Sequence, residues 1–516
     1  MSKEVLRMEG ITKIYENGFV ANKNITFWLS EGEALGLVGE NGAGKTTLMK
    51  VLFGLETPQS GQVLMNEKPV KIENPLDAIA KGIGMVHQHF MLVPSLTVAE
   101  NLALGIEPVK RGLLDFDQAI KMTEEVARKY SFDINPADRV RDLSVGQMQK
   151  IEIMKVLIRG AKVIILDEPT AVLTPQETEE LFEQLLLLKK SGHSIIFISH
   201  KLEEVKRICD RVTVLRKGYC LGSHDTQEMN ESDISRLMVG RDVVLRIEKE
   251  DAKAGKPIVQ IKNLTMFNGL GKTVIDNISF DIREGEVVGI AGVEGNGQSE
   301  LSDIISGMSP YASGEVLLNE ISIKGKSVHE IRQMGLAFIP EDRMIHGCAG
   351  DMSIRDNIIS DRFFKAPYRK GLFMSKKSID KLVDQCIKDF EIACDDKSQP
   401  VRMLSGGNIQ KVVVAREFTS GSNFLLANQP TRGIDVGAAE MIRKTIVRKS
   451  REEKTATLLI SADLNEVLEC SDKLLIMRKG KIVGAFPQAN IVSEEELGEY
   501  MLGIKEMTAQ EMDGVL

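Results

Sequence analysis

Gly39-Glu-Asn-Gly-Ala-Gly44-Lys45-Thr46 follows the apolar run Ala34-Leu-Gly-Leu-Val38, and its spacing fits G-x-x-x-x-G-K-[ST]. A short continuous apolar stretch before a glycine-rich turn reads as a strand buried on both faces, then a loop that opens a helix. In that context the backbone N–H groups of Gly39, Asn41, Gly42 and Gly44 wrap a polyphosphate, with Thr47 on the first helical turn. The helix N-terminus adds partial positive charge, and Lys45 neutralises the β and γ oxygens. Thr46 is then placed to offer its hydroxyl to Mg2+.

A second apolar run, Ile164-Ile-Leu166, ends in Asp167-Glu168. A carboxylate at the end of a buried strand is costly without a cation, so Asp167 reads as a Mg2+ ligand. Glu168 beside it is the candidate general base that orients or deprotonates a water. Both motifs recur in altered form. Gly292-Val-Glu-Gly-Asn-Gly297-Gln298-Ser299 has Gln298 where the first copy has Lys45, and Ala427-Asn428-Gln429 replaces both carboxylates. Lys45 to Gln298 and Gln88 to Glu341 are each 253 positions apart, while Ser144 to Ser405 and Asp167 to Asn428 are each 261 apart. One insertion of eight accounts for the drift, which marks an internal repeat.

At 516 residues the chain exceeds what one hydrophobic core usually supports, so two domains are expected, over 1–245 and 258–516. The charged, Gly- and Ala-containing stretch 246–257 reads as the linker. Short apolar strands alternate with amphipathic helices such as 177–189, and the class is α/β. No apolar run is long enough to span a bilayer, and the start of the chain lacks the apolar stretch of a signal peptide, so a cytoplasmic location is expected. Six cysteines without CxxC spacing argue against a zinc or disulfide framework. A net charge of −8 disfavours a general nucleic-acid binder, which needs clustered Lys and Arg.

Leu143-Ser144-Val145-Gly146-Gln147 and Leu404-Ser405-Gly406-Gly407-Asn408 resemble the signature motif of ATP-binding cassette proteins, and the resemblance spans nearly the whole chain. It implies two tandem P-loop NTPase cassettes, each with a parallel-sheet core, an antiparallel β subdomain and a helical signature subdomain. It also implies ATP and Mg2+ as ligands. Gln88 is similar to the glutamine that senses nucleotide, contacts the metal and meets a membrane subunit. His200, in Ile198-Ser-His200, is similar to the switch histidine at the γ-phosphate, and Tyr15 to the aromatic that stacks on adenine.

In such dimers, as the resemblance implies, each ATP lies between the P-loop of one cassette and the signature of the other. One site then combines Tyr15, Lys45, Thr46, Gln88, Asp167, Glu168 and His200 with Ser405, Gly407 and the Asp435 loop. The other combines Gly292, Gly297, Gln298, Ser299, Glu341, Asn428, Gln429 and Ala462 with Ser144 and Gly146, beside Val145 and Thr174. Every departure from the family pattern falls on this second site. Hydrolysis is therefore expected at the first site alone.

Segments such as Met85–Asn101 and Gln429–Gly437 resemble the ATPases of simple-sugar and nucleoside importers, with the nucleoside branch the more similar. That implies two integral-membrane permease subunits as partners, a substrate-binding protein acting indirectly, and a peripheral position on the inner face of the membrane. Tandem cassettes that work on ribosomes or nucleic acid are the alternative. The run Arg362-Phe-Phe-Lys-Ala-Pro-Tyr368-Arg-Lys370 mixes aromatic and basic residues as RNA contacts do, but Lys110-Arg111-Gly112-Leu-Leu114 occupies a similar place in the first half. A repeated exposed turn is the reading favoured for both.

Overall fold

The computed structural model describes residues 3–16, 18–40, 42–88, 90–171, 173–199, 201–240, 249–293 and 295–516. The chain divides into two compact units, residues 1–243 and 244–516.

In the first unit a six-stranded sheet runs in the order Tyr219–Asp225, Arg211–Arg216, Ala34–Val38, Ser194–Ile198, Val163–Asp167, Ile83–Val86. Its strands are parallel except for the antiparallel edge strand Tyr219–Asp225. Ala34–Val38, Val163–Asp167 and Ser194–Ile198 are buried along their whole length, as continuous apolar runs in a sheet covered on both faces must be. A four-stranded antiparallel sheet, in the order Val20–Ser30, Glu4–Ile14, Ser60–Met65, Lys68–Val70, packs Leu6, Met8, Ile25 and Phe27 into the same core as Leu35, Leu37, Leu48 and Ile196. The helix Lys45–Leu52 contributes Leu48, Met49 and Leu52 to that core, which fixes the direction in which its N-terminus points. The amphipathic stretch at 177–189 lies within the helix Pro175–Lys190, and helices Phe116–Lys129 and Val145–Ile158 form the helical part.

The second unit repeats this plan. Its six-stranded sheet runs Leu336–Ile339, Phe424–Asn428, Ala456–Ile460, Val287–Ala291, Lys473–Arg478, Lys481–Phe486, and its antiparallel sheet Thr273–Arg283, Pro257–Phe267, Ser313–Leu318, Ile321–Ser322. Of the stretch 246–257, residues 246–248 lie outside the described residues. Lys249 donates to the Ser471 carbonyl, Arg451 Nε to the Glu250 carbonyl at 2.9 Å, and Gly255 N–H to the Glu284 carbonyl at 2.8 Å, so 249–255 is fastened to the second unit.

Lys110–Leu114 and the residues around Gly371 form matching two-residue hairpins, Val109–Lys110 with Leu113–Leu114 and Arg369–Lys370 with Phe373–Met374. Arg362 is buried and donates to the Arg416 and Thr419 carbonyls and to the Asp361 carboxylate. The six cysteines are free, and no described helix is long and apolar enough to cross a membrane.

Candidate nucleotide site

The parallel strands of the first unit bring the P-loop, Gln88, Asp167 and Glu168 to their carboxyl ends, where ligands of open α/β sheets bind. Two of the loop's glycines are required by close approach. A Cβ at Gly39 would lie 2.3 Å from the Leu215 carbonyl oxygen, and one at Gly44 2.3 Å from that of Ala21. Lys45 is 6% exposed, and its Nζ donates to the carbonyls of Gly39 at 2.6 Å and Glu40 at 3.1 Å. Burial pulls its pKa down, while Glu168, Asp167 and Glu40 oppose that shift.

Asp167 is also 6% exposed, and its pKa is pushed up to about 6 by burial first and by the charge of Glu168 second. Lys45 and the Thr46 hydroxyl pull it back only in part. Glu168 adopts φ +49°, a left-handed conformation that costs a side-chain-bearing residue about 1 kcal/mol or more, and its N–H is held by the Ile198 carbonyl at 3.0 Å. Gln88 Nε2 donates to Glu168 Oε2 at 3.0 Å. Two adjacent carboxylates, one of them buried, beside a hydroxyl and an amide oxygen form a donor set that fits Mg2+. Thr46, Asp167 and Gln88 are the residues that would hold it, and when bound it supplies charge neutralisation for the phosphates.

The Tyr15 hydroxyl lies 3.2 Å from Thr47 Oγ1, so the aromatic sits at the flank of the P-loop helix. Asn41 and His200 lie outside the described residues. Two supporting side chains were not read from the sequence. Asn22, fully buried on the antiparallel sheet, donates from Nδ2 to the Gly44 carbonyl at 3.0 Å and props the loop from behind. Glu177 reaches the signature, its Oε1 accepting from Ser144 Oγ at 3.3 Å and from Gly146 N–H at 3.1 Å. The T-P-Q-E pattern at 174–177 announces the capping box of its own helix but not this second attachment.

In the second unit the same scaffold carries different chemistry. Gln298 is 7% exposed, its amide donating to the Val293 carbonyl at 3.1 Å and accepting from Asn296 N–H at 3.1 Å, so it braces the loop as Lys45 does but without charge. A Cβ at Gly292 would meet the Met477 carbonyl oxygen at 2.5 Å, and Gly297 caps the helix Gln298–Ser306 with φ +107°. Asn428 ends its strand, buried, where the first unit has Asp167. Gln429 keeps the left-handed backbone at φ +53°, and its Oε1 accepts from Ala462 N–H at 3.1 Å. Ser299 Oγ donates to Glu341 Oε2 at 2.8 Å, and Arg432 Nη1 donates to Glu341 Oε1 at 2.5 Å. Ser405 caps its helix as Ser144 does, and Gly407 follows on the first helical turn, where a Cβ would lie 3.5 Å from the Asp435 carboxylate.

The ABC transporter family model matches residues 22–171 and 275–432, one block in each unit. The chain is 41% identical to the guanosine import ATP-binding protein NupO of Bacillus subtilis, over 99% of each chain. It is 39% identical to the glucose import ATP-binding protein TsgD13 of Haloferax volcanii, over 98% of this chain and 96% of that one. A solved structure described as RNase-L Inhibitor superposes over 98% of both chains with TM-score 0.62 at 18% identity, a likeness of fold alone. With a glycine-rich loop opening a helix and a signature helix in each unit, and the family model matching both, the chain belongs to the ABC transporter family as a tandem ATP-binding protein.

Proposed function

We propose that this chain is the energy-coupling ATPase of an importer for nucleosides or simple sugars, with nucleosides favoured, and that only its first unit hydrolyses ATP. The observation that carries the reading is the Gln88–Glu168 hydrogen bond beside Asp167, Thr46 and Lys45, set against amides at every corresponding acidic or cationic position of the second unit. In the first unit Lys45 and the loop N–H groups hold the phosphates of ATP, and Glu168 receives a proton from water attacking the γ-phosphorus. Gln88 orients Glu168 and reports its state to the segment that follows. Ser405 and Gly407, with Ser144 and Gly146, are the signature residues that contact nucleotide, as the family resemblance implies.

The relatives named for guanosine and glucose import support an importer role, and two permease subunits with a substrate-binding protein are the partners that the family resemblance implies. Phosphate release by the full chain with its permease tests the catalytic assignment. Glu168→Gln is expected to lower the rate about 10²–10⁴-fold, and Gln429→Ala to leave it within about twofold. Equal loss in both variants would refute a single catalytic unit. Uptake of labelled guanosine, ribose and glucose in cells lacking the chain distinguishes the cargo, and loss confined to the sugars would overturn the nucleoside assignment.

A further inference from the structure

The phosphate end of the second unit contains one feature that loss of catalytic groups does not account for. Arg432 follows Gln429-Pro430-Thr431 and turns its guanidinium onto Glu341 at 2.5 Å, while the other oxygen of that carboxylate takes the Ser299 hydroxyl at 2.8 Å. Ser299 and Glu341 correspond by position in the repeat to Thr46 and Gln88, two of the three groups that fit Mg2+ in the first unit. The third, Asp167, corresponds to the neutral Asn428. This donor set does not fit a divalent cation. Both oxygens of its carboxylate are already engaged, and an amide stands where the first unit has its buried strand-end acid.

In the first unit the carboxylates of Glu168, Asp167 and Glu40 act on Lys45. In the second, Arg432 is ion-paired with Glu341. Arg432 is half exposed, so core packing does not explain it, and its backbone is held from below by Arg343 Nη1 donating to its carbonyl at 3.0 Å. A guanidinium offers several planar donors suited to phosphate oxygens.

We propose that Arg432 takes the place of the divalent cation in the second unit, which holds nucleotide without Mg2+ through Arg432 and the loop N–H groups. This rests on the reading above, in which only the first unit hydrolyses ATP. The test is equilibrium binding of radiolabelled ATP to the full chain, in excess Mg2+ and in EDTA. Two bound nucleotides per chain are expected with Mg2+ and one in EDTA. Arg432→Gln is expected to weaken the EDTA-resistant site at least about tenfold while sparing the Mg2+-dependent one, which also reports that the variant is folded. Arg432→Lys is expected to recover part of the loss.

The assignment is overturned if no nucleotide stays bound in EDTA, if Arg432→Gln leaves the EDTA-resistant site unchanged, or if it abolishes both sites and Arg432→Lys restores neither. Persistent hydrolysis in Glu168→Gln would instead sink the catalytic reading, and the EDTA result would stand apart from it.

Discussion

Asn22 is held 0% exposed with its amide on the Gly44 carbonyl, whereas the second unit has Ile275 at the corresponding position, packed near Gly297. The replacement turns a hydrogen-bonded prop into an apolar one, at the P-loop that has also exchanged Lys45 for Gln298. Asn22→Ile in the first unit removes a buried hydrogen bond and is expected to cost about 1–3 kcal/mol, read as a lower urea midpoint, together with a higher KM for ATP. An unchanged midpoint would show that the Gly44 carbonyl needs no partner beyond the helical N–H of Leu48. Lys45, Thr46, Asp167 and Glu168 were legible from sequence because each belongs to a short motif whose chemistry is fixed by adjacent residues. Asn22, Glu177 and Arg432 were not, because their partners lie 22, 31 and 91 positions away and only the folded sheet brings them together.

Among the elements, the helix after Ser194–Ile198 in the first unit and its counterpart after Ala456–Ile460 in the second each carry a buried carboxylate. Glu204, on Leu202–Ile208, accepts from Thr170 Oγ1 at 2.7 Å and Ser199 Oγ at 2.9 Å. Glu466, on Leu464–Cys470, is fully buried, and its pKa is raised to about 7 by burial first and by Asp463 among the rest, against the pull of Arg443. A carboxyl group whose folded pKa exceeds its unfolded value binds its proton more tightly when folded. The stability it contributes is present below the unfolded value near 4.5 and is lost as pH rises toward 7. The second unit is expected to lose about 3 kcal/mol across that window, and Glu466→Gln to flatten the slope. Urea unfolding at several pH values checks this, and an identical pH slope in the variant would place the titration elsewhere. Strand and helix identities were readable in advance from continuous apolar runs and amphipathic spacing. The hydroxyl partners of Glu204 were hidden because Thr170 and Ser199 sit in unremarkable loop positions.

For the whole molecule, each unit has its own sheets and its own buried clusters, so denaturation of the full chain is expected in two steps. Mg2+ with ATP at about a hundred times the dissociation constant adds about 2.7 kcal/mol to whichever unit binds it. The step belonging to the first unit is expected to shift with Mg2+ and ATP together and to return when EDTA is added. A single transition, or equal shifts of both steps that EDTA reverses alike, would contradict that assignment. The division into two repeats was visible at the level of motif offsets, since a spacing of 253 that drifts to 261 can arise only from duplicated units.

Gln429 still carries the strained left-handed backbone of Glu168, and its N–H is still anchored by the neighbouring strand, at 2.7 Å from the Ile460 carbonyl. The main chain at Gln429 therefore keeps the conformation found at Glu168, with an amide where the first unit has a carboxylate. On the proposed reading, turning the second unit into a hydrolytic one calls for exchanging side chains, beginning with Gln298→Lys, Asn428→Asp, Gln429→Glu and Ala462→His.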